Sequence, residues 1–155
     1  MKNYLILFCL PILISILLTN STNSANGLNL ENKQEEDIEV PFSVIENVPI
    51  YPGCDKGNNA ERRKCMSKKI TKLVQKEFSV NIARNLGLSG RQRISVIFKI
   101  NKKGNVVGAR ARAPHPNLKK EAIRVVNMLP KMKPGIQKGK AVVVPYSLPI
   151  IFQVQ

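Results

Sequence analysis

Hydrophobic and polar positions recur with two different periods along residues 58–155, and the change of period separates the predicted elements. After Asn58 the apolar residues recur at helical spacing, and Asn58 followed by Glu61 matches a capping box at a helix start. A second helical stripe follows Pro116. The two predicted helices carry the stripes Met66, Ile70, Leu73, Val74 and Leu118, Ala122, Val125, Val126, Leu129.

Between the two helices the period is two, which predicts a β-hairpin. Its turn, residues 101–105, contains Gly104, which tolerates positive φ. The first strand places Ile94, Val96, Phe98 and Ile100 on one face. The return strand is predicted to place Val107, Ala109, Ala111 and Ala113 against a helix, alternating with Arg110 and Arg112.

The last part of the chain predicts a sharp stop and then a long closing strand over residues 141–155. Pro130 and Pro134 each remove a backbone donor, and Gly135 is predicted to permit a tight turn. Pro145 and Pro149 are four residues apart, so their missing donors fall along one edge of the strand. Two interpretations stay open: an edge protected from aggregation, or an edge that offers acceptors to a guest strand.

Residues 40–53 are β-branched and aromatic but interrupted by prolines, so they predict a short or edge strand. Each predicted element has a single apolar face to bury. The economical packing is an α+β fold, in which an antiparallel sheet of about three to four strands has two helices on one face. The predicted order is β-α-β-β-α-β.

The N-terminal region predicts export. Lys2 precedes a 15-residue apolar run, residues 4–18, and a small polar stretch follows. This layout is typical of a signal peptide, here residues 1–24, since a spanning helix needs roughly 20 apolar residues. An uncleaved inner-membrane anchor is the alternative. Residues 25–40 then form an acidic flexible linker, and residues 41–155 form the folded domain.

Removal of that signal leaves two cysteines, Cys54 and Cys65, in an exported chain. An even count in this compartment predicts a disulfide between them. Their spacing does not resemble a CxxC redox pair, so the bridge is expected to be structural.

Charge is concentrated in the predicted domain, where residues 60–155 hold 22 Lys and Arg against three acids. A basic domain is attracted to polyanions. The alternative function is therefore a basic periplasmic adaptor for anionic lipid, lipopolysaccharide or an acidic protein surface. Nucleic acid is disfavoured by export and by the scarcity of aromatic residues. The candidate basic surface comprises Arg110, Arg112, Lys68, Lys69 and Lys72.

The sequence offers few candidate catalytic residues. The single histidine, His115, lies between two prolines, where a rigid turn is the simpler role. No metal spacing or phosphate loop is recognisable, so the expected protein is not an enzyme and uses no cofactor.

The chain from about Pro49 to Phe152, and most strongly from Gly90 onward, resembles the TonB C-terminal domain family in its Bacteroidetes-type form. The similar features are the hairpin, an EA-x-R-V-V helix, a P-x-x-x-P-G turn, a GK step and a Y-x-L-P-I-x-F strand. The resemblance implies a periplasmic domain that docks the extended N-terminal segment of an outer-membrane TonB-dependent receptor by strand addition, in energy-coupled transmembrane transport. The implied docking positions are Val142, Val143, Val144, Tyr146, Ser147, Leu148, Ile150 and Phe152.

A complete energy transducer of this family would need a membrane helix and a long spacer, whereas the apolar run here is short and the spacer comprises only residues 26–39. The expectation is a free-standing or accessory domain, with inner-membrane proton-driven motor proteins reached through another subunit. The identity of the receptor and homodimerisation through the edge strand stay open.

Overall fold

The computed structural model describes residues 38–155, so the predicted signal peptide and nearly all of the predicted linker lie outside the described residues. No helix within the described part is long and apolar enough to cross a membrane. The elements in chain order are α1 (Asn59–Glu77), α2 (Asn81–Asn85), β1 (Gly90–Ile100), β2 (Val106–Arg112), α3 (Pro116–Val126), β3 (Gly135–Gln137), β4 (Lys140–Val142) and β5 (Val144–Val154).

The main sheet has three antiparallel strands in the order β2-β1-β5. β1 pairs with β5 without a register shift, from Gly90 opposite Val154 to Ile100 opposite Val144. β3 and β4 form a separate two-stranded sheet. The closing strand is thus divided: β4 pairs with β3, β5 pairs with β1, and Val143 lies between them.

Helices cover one face of the main sheet, as the two periods predicted. The α1 residues Met66, Ile70 and Val74 and the α3 stripe form one core cluster with alternate residues of β1. α1 begins as expected: the Asn58 side chain accepts the Glu61 N–H at 3.1 Å, and the Glu61 carboxylate accepts the Asn58 N–H at 2.8 Å. The predicted α+β class is confirmed.

The predicted disulfide is also present. Cys54 and Cys65 are bridged across Cα atoms 5.7 Å apart. The bridge ties the loop before α1 to the N-terminal half of that helix. It closes a short loop rather than joining distant parts of the sheet.

The first strand of the predicted order is not formed as a strand. Within residues 40–53 only isolated bridges occur, Asn47 with Ile136 and Ile50 with Lys133, and Pro49 lies between them. Because proline has no N–H, it interrupts a ladder at this point. The segment instead buries Ile45 and Val48 in a second small cluster against Val142 and Val144.

The return strand β2 differs from the prediction at Val107. β1 and β2 shift register between Ile97 and Lys99, and Gly108 in this region has φ 63°. Val107 consequently lies opposite Lys99 on the uncovered face and is 39% exposed, instead of facing the helices.

The tight turn is made by Lys138 and Gly139, with φ 49° and 72°, between β3 and β4. Two residues with positive φ are the usual connection of a short hairpin. Gly135 instead begins β3, where a Cβ would lie 2.6 Å from both Ile45 Cδ1 and Val144 Cγ2. Its role is close packing rather than the turn.

Candidate functional site

β5 is one of the two edge strands of the main sheet, since the strand order is β2-β1-β5. In the continuous β1–β5 ladder, Pro149 lies opposite Ser95 and Pro145 opposite Lys99. Residues in an antiparallel pair alternate between positions that bond across the ladder and positions that face outward. Proline has no N–H, so these sites fit the outward-facing positions. The odd-numbered residues of β5 therefore direct their backbone groups away from β1.

Val143 confirms this phase, because its backbone already bonds on the outer side. Its N–H donates to the Ile38 carbonyl at 3.1 Å, and its carbonyl accepts the Val40 N–H at 2.9 Å. Glu39 and Val143 thus form a parallel bridge. Within residues 38–155 no other segment pairs with this edge, which we call the β5 edge: the outward backbone groups of Pro145, Ser147, Pro149, Ile151 and Gln153.

Aromatic contacts hold the chain's own segment at the start of the β5 edge. The Phe42 ring packs on the Tyr146 ring with centroids 5.1 Å apart, and the Arg63 guanidinium lies 5.6 Å from the Phe42 centroid. The Tyr146 hydroxyl is 2.9 Å from the Ser67 hydroxyl. From Ser147 onward, no backbone segment of residues 38–155 pairs with the outer side of β5.

The predicted docking residues are distributed unevenly about this edge. Tyr146, Leu148 and Ile150 are buried in the core cluster beneath the helices, and Phe152 is half-buried at its margin. Val142 and Val144 are buried in the second cluster, against Ile45 and Val48. Val143 is buried beside residues 38–40, and only Ser147 of the predicted set has an exposed side chain. A guest strand would therefore meet backbone groups, not those buried side chains. Ile151 and Gln153 are not in the predicted set, but their backbone groups have the same outward phase as those of Pro145 and Pro149.

The face of the sheet opposite the helices is open. We call this surface the open face. It carries exposed Ile97 and Ile151, at 53% and 47%, among polar and basic residues. Its members are Arg91, Arg93, Ser95, Ile97 and Lys99 of β1, Val107, Arg110 and Arg112 of β2, and Ser147, Pro149, Ile151 and Gln153 of β5.

The five predicted basic residues do not form one surface. Arg110 and Arg112 are exposed on the open face, opposite Ile97 and Ser95. The three lysines, Lys68, Lys69 and Lys72, are exposed on α1, which packs against the other face. Any binding role of these residues has to be considered separately for the two sides.

Glu121, which the sequence did not single out, connects the helices. It is 7% exposed and accepts hydrogen bonds from Arg124 Nε and Nη2, both at 2.8 Å, and from the Ser79 N–H at 3.0 Å. Arg124 also donates to the Glu77 carbonyl at 2.8 Å. The hydrogen bonds from Arg124 hold the pKa of the Glu121 carboxyl below its ordinary value. The EA-x-R motif thus joins α3 to the end of α1.

His115 has a structural role at the start of α3. Its Nδ1 accepts the Asn117 N–H at 3.2 Å, which caps the helix. Pro116 follows at the first helical position, where its fixed φ suits a helix start. The rigid-turn interpretation of this residue is consistent with that geometry.

Comparison with protein families gives a match over the C-terminal part of the chain. Residues 81–154 match the family model described as Gram-negative bacterial TonB protein C-terminal. No curated protein matches the chain. The matched segment runs from α2 to the last residue of β5 and contains the whole β5 edge. This family comprises non-catalytic protein-interaction domains of the Gram-negative periplasm. Residues 81–154 therefore belong to the TonB C-terminal family.

Proposed function

We propose that this domain docks an extended N-terminal segment of an outer-membrane TonB-dependent receptor by strand addition to the β5 edge. The domain would act in the periplasm, in energy-coupled transport, and would reach inner-membrane motor proteins through another subunit. The observation that carries the proposal is the bridge at Val143. Residues 38–40 add to that same edge through two backbone hydrogen bonds.

Affinity in this mode comes mainly from the backbone. Ser147, Ile151 and Gln153 offer outward N–H groups, and the four residues of the β5 edge beyond Pro145 offer carbonyls. Each such bond contributes about 0.5–1.5 kcal/mol net. Because backbone groups carry no sequence information, side chains beside the edge would provide the selectivity.

The two prolines suit an edge used for transient docking. They remove the donors at positions 145 and 149 but keep the carbonyls. A strand edge with gaps pairs less readily with a second copy of itself. The same gaps keep a guest strand from forming a complete ladder, which favours release.

The test compares two substitutions at one position. Ser147→Pro removes an outward N–H, whereas Ser147→Ala keeps it and removes only the hydroxyl. Binding of a fluorescent peptide, taken from the segment that precedes the barrel of a TonB-dependent receptor, is measured by anisotropy. Ser147→Pro should weaken binding about tenfold, since a guest carbonyl also loses its partner. Ser147→Ala should bind as the unmodified protein does.

Urea unfolding provides the control for folding. Position 147 has the same phase as Pro145 and Pro149, so a proline there removes no bond to β1. Equal peptide affinity of both variants, with both folded, would contradict docking at this edge.

A further inference from the structure

One contact shows how the open face receives a strand at this edge. Glu39 is paired with Val143, and paired residues share a face of a sheet, so its side chain lies on the open face. Its carboxylate reaches over the closing strand to form an ion pair with Lys99 Nζ on β1. Lys99 is opposite Pro145. A carboxylate on an added strand therefore contacts a cation two strands away.

The register of β1 and β5 repeats this arrangement farther along the edge. A step of six residues moves from Val143 to Pro149 on the closing strand and from Lys99 to Arg93 on β1. A step of eight reaches Ile151 and Arg91 instead. Even steps keep the same face.

An acidic side chain on an added strand can reach both Arg93 and Arg91. An added strand would lie about 10 Å from β1, two strand spacings, as the segment with Glu39 does at Lys99. An arginine side chain is at least as long as that of lysine. Its planar fork can also bind a carboxylate with two parallel hydrogen bonds.

Both arginines are unneutralised in the described part of the chain. Arg91 and Arg93 are exposed, and their guanidinium groups have no hydrogen-bond or ion-pair partner within residues 38–155. The acids of this range are engaged elsewhere. Glu39 pairs with Lys99, and the others have partners off the open face: Glu46, Asp55, Glu61, Glu77 and Glu121.

We propose that Arg91 and Arg93 select guest segments that carry acidic side chains on the open-face side, opposite Pro149 or Ile151. The inference rests on the proposed strand docking and adds the chemistry of the partner. Alternate residues of a strand share a face, so two acids separated by one residue would engage both arginines. Exposed Ile151, next to Arg93, adds an apolar contact for the aliphatic part of such a side chain.

The experiment uses three synthetic nine-residue peptides of alternating threonine and valine. Each carries, at two alternate positions, either Glu, Gln or Lys. Affinities are measured at 0.1 M salt for the full chain and for two double variants, Arg91→Glu with Arg93→Glu and Arg110→Glu with Arg112→Glu. The second is the matched control, because it makes the same charge change on the open face but on β2, about 14 Å from the guest.

The Glu peptide should bind the unmodified protein about 3- to 20-fold more tightly than the Gln peptide, as expected for two exposed ion pairs. The Arg91/Arg93 variant should lose this preference and gain affinity for the Lys peptide. The Arg110/Arg112 variant should keep the preference. Equal affinities of the Glu and Gln peptides would overturn the inference, and so would an equal loss in both variants.

Failure of the inference is distinguishable from failure of strand docking. Ser147→Pro should weaken even the neutral Gln peptide if docking is correct. If it does so while Glu and Gln bind equally, docking stands and the arginine selection fails. Phosphatidylglycerol vesicles test the other anion: vesicle binding lost in the Arg91/Arg93 variant, with no peptide preference, would assign these arginines to lipid and overturn the inference.

Discussion

Adding a donor to the β5 edge should strengthen docking. Pro149 lies opposite Ser95 in an outward-facing position, so Pro149→Ala introduces one N–H that points to the guest. The bonds between β5 and β1 are unchanged. One further backbone hydrogen bond contributes about 0.5–1.5 kcal/mol net. The dissociation constant of a docked peptide should therefore fall by about 2- to 12-fold.

Pro145→Ala is the internal control for this prediction. Position 145 lies next to Val143, where residues 38–40 already occupy the edge. Its new N–H would point toward the chain's own segment, so peptide affinity should stay unchanged. Both substitutions enlarge the freedom of the unfolded chain and should lower the free energy of unfolding by about 0.4–1 kcal/mol.

The assay is anisotropy with the peptide used for Ser147→Pro, together with sedimentation velocity of the free proteins. Pro149→Ala should also self-associate more, since the edge loses one of its gaps. An affinity that stays the same in Pro149→Ala, or that rises equally in Pro145→Ala, would refute the assignment of outward positions.

Three further predictions concern stability. Gly104→Ala should lower the free energy of unfolding in urea by about 2–4 kcal/mol, because φ is 82° and a Cβ would lie 1.7 Å from the Met132 carbonyl oxygen. Gly139→Ala, with φ 72° and no atom within 4 Å, should lower it by only about 1–2 kcal/mol. Equal losses would exclude the Met132 contact as a cause. The pKa of Glu121 is lower in the folded chain than in the unfolded chain, so its ionised carboxylate stabilises the fold at pH values above the ordinary carboxyl pKa. This stabilisation is lost as the pH falls through the lower pKa of the folded state. Glu121→Gln should cost about 2 kcal/mol at pH 7 and flatten the stability profile below pH 4.5, and an unchanged acid profile would contradict it. Replacing Cys54 and Cys65 by serine should cost about 3 kcal/mol without changing peptide affinity, and a large affinity loss would show that the bridge shapes the β5 edge.

The predicted elements and the buried faces followed from local periodicity. The helices α1 and α3 and the strand β1 each bury one apolar face in the same core cluster, so the spacing of apolar residues along each segment was enough to predict them. The capping box at Asn58 is local in the same way. These features needed no knowledge of distant contacts.

The errors arose where distant residues decide the structure. A glycine after a proline predicts a turn at Gly135, but the side chains of Ile45 and Val144, from other parts of the chain, pack so closely that a Cβ there would clash with them. Val107 changed face because of a register shift that only pairing with β1 reveals. Residues 40–53 have the composition of a strand, but Pro49 lies between the bridges to Ile136 and Lys133 and prevents a continuous ladder.

The candidate site was predicted in part. The phase of Pro145 and Pro149 indicated two unequal sides of the closing strand, and the structure shows which side β1 occupies. The predicted docking residues nevertheless include buried side chains as well as positions whose backbone groups face outward. The bridge of Glu39 with Val143 was not predictable, because it joins residues more than 100 positions apart and depends on the end of the linker.

Amide hydrogen exchange, followed by NMR with and without a saturating receptor peptide, tests docking at the β5 edge most directly. Each outward N–H can be observed separately in the ¹⁵N-labelled chain. The account predicts that exchange slows at Ser147, Ile151 and Gln153, while the outward N–H of Ala111 on the opposite edge of the sheet exchanges as before. Protection at Ala111 or along α1, with Ser147, Ile151 and Gln153 unchanged, would contradict it.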